Sequence, residues 1–329
     1  MLFDPILKLF QRRQAKPGRQ HAAGYSLSPL KDGGEAGLVL VGAATDLSEP
    51  DPKSAEGARL GPQAILETMK PISRWPIPVY STPTLSDYDT SVEDVLSRQY
   101  QRLRELFQTR HLPVVLGGGH EVALSSYKAL SDHAAEECGE TRIPKIGVIN
   151  MDAHFELRTT LAIRSGAAFH FAANHAKENG RPFQYMVLGI DEKANPASVL
   201  ERARSLNAKW VTAKDMSKGH KKPLIALLDD FLADVDYLHL SIDLDVFSSA
   251  LAPGVAMPQS QGISYSMATL VIDHLLASGK VRVIDIAELV PDFDWDNQTA
   301  NLAVKLLRHI ARKQADTEKT ANKTAQATF

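Results

Sequence analysis

Residues Lys145–Met151 read KIGVINM, and Asp152-Ala153-His154-Phe155-Glu156 follow without a break. An apolar run of this length that does not alternate with polar residues is the pattern of a β-strand covered on both faces. The same kind of run recurs on either side: Gly37–Gly42 (GLVLVG), Pro113–Leu116, Gln184–Ile190, Lys209–Thr212, Tyr237–Val246 (YLHLSIDLDV) and Val281–Ala287 (VRVIDIA). Between them lie segments of helical periodicity: Gly61–Met69, Val92–Thr109, Glu121–Ala135, Ser198–Leu206, Leu224–Ala233, Tyr265–Ala277 and Thr299–Lys313. Strands alternating with helices predict an α/β protein, a single three-layer α/β/α domain with a mostly parallel sheet. In such sheets ligands bind beyond the carboxyl ends of the strands.

Three of those strand ends carry chemistry. Pro113–Leu116 runs into Gly117-Gly118-Gly119-His120-Glu121, where glycines permit a sharp turn and leave His120 at the sheet edge. No Lys-Ser/Thr follows, so a phosphate-binding loop is not indicated, and alone the motif reads equally as a glycine turn. After KIGVINM, Asp152, His154 and Glu156 are two residues apart and would share one face of an extended segment. After YLHLSI, Asp243 and Asp245 repeat that spacing; they repel unless a cation lies between them or they bind backbone amides. Together these residues offer two imidazoles and four carboxylates without a thiolate, a donor set suited to hard divalent ions and among them to Mn²⁺. Six ligands with shared carboxylates can hold two ions, a pair able to generate a nucleophile from water at neutral pH.

The rest of the composition narrows the function classes. Lys and Arg number 37 against 39 Asp and Glu, a net charge of −2 that provides no global attraction for nucleic acid or an anionic membrane. Apolar runs fall short of the about 18 residues a membrane span needs. Cys138 is the single cysteine of the 329 residues, which excludes an internal disulfide framework and points to a reducing, cytoplasmic setting. Met1–Phe10 is apolar but interrupted by Asp4 and Lys8, and its positive charges, Arg12 and Arg13, come afterwards. It is expected to form a short amphipathic helix rather than a signal peptide. The expected organisation is an N-terminal arm over 1–35, a catalytic domain over 36–315 and a disordered tail over 316–329.

The motifs GGGHE (Gly117–Glu121), NMDAHFELR (Asn150–Arg158), LHLSIDLDVF with SSALAPGVAMPQSQGIS (Leu238–Ser264) and VRVIDIAELVP (Val281–Pro291) resemble the ureohydrolase superfamily of arginases, agmatinases and formiminoglutamases. The likeness runs from about Gly37 to Lys313 and leans to the formiminoglutamase branch. It implies an arginase-like fold, a manganese pair, trimers or hexamers, and hydrolysis of N-formimino-L-glutamate to glutamate and formamide in histidine breakdown. Carried over by position, it implies that His120, Asp152, Glu156 and Asp243 hold one ion and Asp152, His154, Asp243 and Asp245 the other, with Asp152 and Asp243 bridging. Glu156 would also orient the attacking group, and Glu288 would hold the amidine-like end of the substrate. Arg158 and Arg59 are candidate clamps for the substrate carboxylates, since a guanidinium grips a carboxylate with two hydrogen bonds. His170 lies near the place of a proton-shuttling histidine of arginases, one residue out of register.

Two departures from the branch stand out. Glu156 occupies a position where the family has aspartate, so the longer side chain must fold back, chelate differently or withdraw. From this, weaker binding of the ion shared with His120 is expected, with Glu156→Asp raising affinity. Asp46–Ala55 (DLSEPDPKSA) is acidic and proline-rich where the branch has a basic, asparagine-containing run. These departures leave two alternatives open: an agmatinase- or guanidino-acid-type ureohydrolase that releases urea, and a divergent member with little or no catalysis that acts as a structural or regulatory partner.

Overall fold

The computed structural model describes residues 25–327 apart from 32, 49–56, 89 and 140–141, with side chains described as far as residue 317. The helix expected at Met1–Phe10 and most of the N-terminal arm therefore lie outside the described residues, as does much of the Asp46–Ala55 stretch.

Ten strands in the described residues form one sheet. In chain order they are β1 (Leu27–Pro29), β2 (Leu38–Ala44), β3 (Val79–Ser81), β4 (Leu85–Ser86), β5 (Leu112–Gly117), β6 (Ile146–Met151), β7 (Phe183–Ile190), β8 (Lys209–Thr212), β9 (Tyr237–Asp243) and β10 (Val281–Ala287). Their order across the sheet is β1-β3-β2-β5-β10-β9-β6-β7-β8, with β4 beside β2, and the neighbours run parallel. The helices are α1 (Gly61–Met69), α2 (Val92–Phe107), α3 (Val122–Cys138), α4 (Ala168–Glu178), α5 (Ala197–Ser205), α6 (Ala213–Ser217), α7 (Lys221–Ala233), α8 (Tyr265–Ala277) and α9 (Gln298–Ala327).

The central strands are buried on both faces because their alternate residues enter two different cores. Leu38 and Leu40 of β2 pack with residues of α1, α7, α8 and α9, whereas Val39, Val41 and Ala43 pack with α2, α3 and α4. Burial on both faces is what removes the polar/apolar alternation from the sequence. Pro62 opens α1, and Ser91 and Ser264 cap α2 and α8 by accepting from the backbone N–H groups of Asp94 and Met267. The α/β/α sandwich expected from the alternation of elements is thus the one observed. No described helix is long and apolar enough to cross a membrane.

Three segments differ from expectation. Leu27–Pro29, read as part of the arm, joins the sheet beside β3. The strand read as Tyr237–Val246 stops at Asp243, whose Oδ1 accepts from Asp245 N–H at 2.8 Å and turns the chain into a 3-10 turn over Leu244–Val246. The tail expected to be disordered is helical to Ala327. A helix already nucleated on the core by Ala303, Leu307 and Ile310 extends without a second nucleation.

Candidate metal centre and substrate cavity

The site gathers at the carboxyl ends of β5, β6, β9 and β10. Past β5, Gly118 lies so close to Thr45 that a Cβ there would sit 1.9 Å from the Thr45 carbonyl oxygen. Glycine thus lets the ends of β2 and β5 meet, with Gly119 N–H donating to that carbonyl at 2.7 Å. His120 follows and is fixed on two sides. Its backbone N–H donates to Glu288 Oε1 at 2.7 Å, and its Nε2 lies 2.7 Å from Ser241 Oγ. This leaves Nδ1 directed at carboxylates, 3.2 Å from Asp152 Oδ2 and 3.2 Å from Asp243 Oδ2.

Asp152, His154 and Glu156 do converge, but not on a face of an extended strand. The strand ends at Met151, and the Asp152 carboxylate accepts from His154 N–H at 2.6 Å, closing a turn. Glu156 then takes a left-handed backbone, φ 51°, an uncommon conformation for a residue with a Cβ. Its carbonyl accepts from Phe169 and His170 N–H at 3.0 and 3.1 Å, which ties the turn to the start of α4. His154 Nδ1 comes to rest 2.9 Å from Asp245 Oδ2 and 3.5 Å from Asp152 Oδ1. Asp243 and Asp245 also bind backbone amides, Asp245 Oδ1 accepting from Ala153 N–H at 3.3 Å. The amide contacts account for one oxygen of each and leave the other facing an imidazole.

Two three-donor clusters result: His120 with Asp152 and Glu156, and Asp152 with His154 and Asp245, each with donor atoms within 4.8 Å of one another. Donors that share a hard cation at about 2.0–2.6 Å are at most about 5 Å apart, so both clusters fit one ion each, with Asp152 common to the two. His120 Nδ1, His154 Nε2 and Glu156 Oε2 are buried without a hydrogen-bond partner among the described residues. Buried polar atoms are normally paired, and all three of these belong to residues of the two clusters. Glu156 has not withdrawn from the cluster despite its extra methylene.

The electrostatics describe a site suited to a cation. Burial pushes the Glu156 carboxyl up to about 7, with Asp152 and Asp245 adding to the effect. Burial and the neighbouring Asp245 and Asp152 raise Asp243 well above the usual carboxylate range, and burial with Asp152 raises Asp245. Burial opposes charging of the imidazoles, yet the Asp152 and Asp243 carboxylates hold His120 well above its ordinary value, and Asp152 and Asp245 push His154 up to about 12. Asp152 itself is lowered against its burial, because His120 and His154 face it. Carboxylates packed this closely repel one another when ionised, and a bound divalent ion relieves that repulsion.

A cavity of about 630 Å³ opens over the clusters. His154, Glu156, Asp243, Asp245 and Glu288 face it from within, and Asp46, Arg59, Arg158, Arg164 and Met257 also line it. Glu288 stands just past β10 with φ 71°, and burial followed by the charges of Asp243, Asp46 and Glu121 raises its carboxyl well above the ordinary range. Of the two arginines singled out from sequence, Arg59 already grips Asp87 through Nε and Nη2 at 2.7 and 3.1 Å. Arg158 is exposed at the cavity, its stem lying over Gly166. Arg164, which sequence reading passed over, also lines the cavity and is exposed; the signal was a second arginine in the loop that begins at Arg158. Ser241 was overlooked as well, although it sits inside the SIDLD motif. His170 is buried in the first turn of α4 with Nε2 3.2 Å from Asn174 Nδ2, and is not among the described residues that line the cavity.

A parallel sheet that presents two imidazoles and four carboxylates beneath a cavity defines a class, the metal-dependent hydrolases of carbon–nitrogen bonds built on the arginase fold. The chain belongs to the arginase family, whose model matches residues 36–312. Among its relatives it is 35% identical to the formimidoylglutamase of Rhodococcus jostii (strain RHA1) over 293 residues, 88% of this chain and 90% of that protein. It is 36% identical to the formimidoylglutamase of Aeromonas salmonicida (strain A449) over 287 residues, 86% of this chain and 89% of that one. The fold matches the crystal structure of formimidoylglutamase from Bacillus subtilis subsp. subtilis str. 168 with a TM-score of 0.75 at 20% identity, over 94% of this chain and 98% of that one. It matches Trypanosoma cruzi formiminoglutamase with Mn²⁺ with a TM-score of 0.71 at 19% identity, over 85% and 94% of the two chains.

Proposed function

We propose that the protein hydrolyses N-formimino-L-glutamate to L-glutamate and formamide, using a pair of Mn²⁺ ions held by His120, Asp152, His154, Glu156, Asp243 and Asp245. The observation that carries this reading is the distribution of charge in the cavity. Carboxylates line its depth, and the exposed guanidinium-bearing residues Arg158 and Arg164 lie where the cavity meets solvent. The proposed substrate has the complementary polarity, a cationic formimino group at one end and two carboxylates at the other.

Glu288 binds the formimino nitrogens by charge-assisted hydrogen bonds, and the opposing cation draws its raised carboxyl back toward ionisation. Arg158 and Arg164 hold the glutamate carboxylates, while the fork of Arg59 is filled by Asp87 and shapes the wall. Held at both ends, the formimino carbon lies over the ligand cluster. Water adds to that carbon and the bond to the glutamate nitrogen breaks, so the ions' contribution, when bound, is a water nucleophile at neutral pH and Lewis-acid stabilisation of the developing charge. Glu156 lines the cavity, its Oε2 without a hydrogen-bond partner among the described residues, and orients the attacking water.

The urea-releasing reading fits less well: agmatine has no carboxylate and would bring a second cation to Arg158 and Arg164. A non-catalytic partner role leaves unexplained why every ligand position is filled by a donor. The assay is product analysis with Mn²⁺ present: formamide is expected from formiminoglutamate, and a higher kcat/KM for urea release from agmatine or arginine would overturn the substrate assignment. Asp243→Ala is expected to abolish turnover, since the family likeness makes it a bridge between the two ions and its Oδ2 lies 3.2 Å from His120 Nδ1. By the same family likeness the protein is taken to be a cytoplasmic homo-oligomer, a trimer or hexamer, which sedimentation would resolve.

A further inference from the structure

Directly beneath the metal centre, on the α3 face of the sheet, lies a second polar group that the reaction does not use. His239 of β9, Asp285 of β10, Ser126 of α3 and Gln99 of α2 are all fully buried, and none of them lines the cavity. Gln99 Nε2 donates to Ser126 Oγ at 3.1 Å and to the Val122 carbonyl at 2.9 Å. A hydroxyl has one proton, and that of Ser126 goes to Asp285 Oδ1 at 2.6 Å. The other oxygen of Asp285 meets His239 Nε2. Asp285 lies opposite Ser241 in the β9–β10 register, and Ser241 is the residue whose hydroxyl holds the His120 ring.

We propose that Ser126, Asp285 and His239 form a positioning network that sets His120 as an imidazole ligand of the first ion, a reading that rests on the metal pair proposed above. His120 lies in the turn just before α3, its carbonyl accepting from Ala123 N–H at 3.1 Å, and Ser126 lies in the second turn of the helix. The helix is therefore attached to the two central strands at two heights on one face. His120 meets Ser241 at the top, and Ser126 meets Asp285 below. Gln99, donating to both Val122 and Ser126, fixes the first turn between them from the side. The His120 Nδ1 position is then set by how far α3 sits along β9 and β10. Release of the lower attachment leaves α3 free to slide, and the imidazole moves with it. A contribution to stability alone is a poor reason for such a group. Buried imidazole–carboxylate pairs are costly to desolvate, and apolar replacements are often neutral or stabilising. Here His239 Nδ1 is also left without a hydrogen-bond partner.

The test is Mn²⁺ titration of the full-length protein by calorimetry, together with thermal melting of the metal-free protein. His120→Asn identifies which of the two binding steps depends on this imidazole. Ser126→Ala, which removes one oxygen, is expected to weaken that step by about tenfold, the scale seen when groups that orient metal ligands are lost. The other step should stay within about twofold of wild type on the same scale. Ser241→Ala should weaken the same step, and the double variant should lose less than the product of the two single losses, because both act through one ring. Asp285→Asn, which preserves volume, repeats the measurement should Ser126→Ala fail to fold. An unchanged His120-dependent step in folded Ser126→Ala or Asp285→Asn overturns the inference. So does a loss shared by both steps in proportion to a lower melting temperature. A wild-type protein that binds no Mn²⁺ overturns the metal pair, and this network's role with it, whereas intact binding insensitive to these variants removes this inference alone.

Discussion

Glu156→Asp separates backbone strain from metal binding. The left-handed conformation at φ 51° costs an ordinary L-residue about 1–2 kcal/mol, and aspartate tolerates it better than glutamate. The substitution should therefore stabilise the metal-free protein by up to about 1 kcal/mol, or raise its melting temperature by about 2 °C for a domain of this size. The effect on the ion is opposite. In the structure the longer side chain already brings its carboxylate into the cluster with His120 and Asp152. Removing one methylene retracts the oxygens by about 1.5 Å, one C–C bond, whereas metal sites tolerate about 0.2 Å. Loss of a direct ligand should exceed the 10–100-fold penalty seen for groups that merely orient ligands, so the first ion should bind at least about 100-fold more weakly, or about 2.7 kcal/mol. From residue identity alone, with aspartate as the family pattern, the expected sign is the reverse; the position of the carboxylate argues otherwise. Calorimetric titration with Mn²⁺ and melting of the metal-free variant read the two effects separately. A variant that binds both ions as tightly as wild type would refute the reasoning, since the turn at 156 would then follow the shorter side chain rather than dictate its reach.

Three further outcomes are expected. Mn²⁺ at a hundred times its dissociation constant should stabilise the fold by about 2.7 kcal/mol, visible as a shift in melting; no shift at millimolar Mn²⁺ would count against the metal centre. Binding must displace protons from Glu156, at about 7, and from His154, at about 12, so affinity should weaken as pH falls from about 8 to about 6. Titrations in two buffers of different ionisation enthalpy should register the released protons, and identical heats in both would contradict this. Arg158→Ala and Arg164→Ala should each raise KM for formiminoglutamate by tenfold or more at near-constant kcat, from about 1.5–3 kcal/mol per charge-assisted hydrogen bond; unchanged KM in both would remove the carboxylate clamp.

The central strands β5, β6, β9 and β10 were legible because both their faces are buried, and short, mostly apolar runs between turn residues fit doubly covered strands best. The short strands β1, β3 and β4 were not, since two or three half-buried residues carry no periodicity. Helix α4 has no side-chain cap at its start to announce it. At the site, residue types were readable and their route together was not. Asp152, His154 and Glu156 looked like neighbours on a strand face, yet an Asx turn and a left-handed residue bring them together. Backbone sign at a non-glycine residue is decided by tertiary contacts, here those of Phe169 and His170 N–H with the Glu156 carbonyl. Arg164 escaped notice for a related reason. Only the course of its loop puts it beside the cavity.

The metal donors come from segments far apart along the chain, and β10, which separates β5 from β9 in the sheet, is the last strand to be made. A nascent or unfolding chain cannot bring His120 into one cluster with Asp152 and Glu156 until β5, β10, β9 and β6 stand side by side. Metal binding at the His120 cluster is then a late event that rewards only the assembled centre of the sheet. Its effect belongs to the unfolding limb: an ion that spans strands assembled this way retards their separation while leaving the rate of their first assembly almost untouched. Persistence of the loaded enzyme in time, more than its speed of folding, is where the ions would be felt outside catalysis.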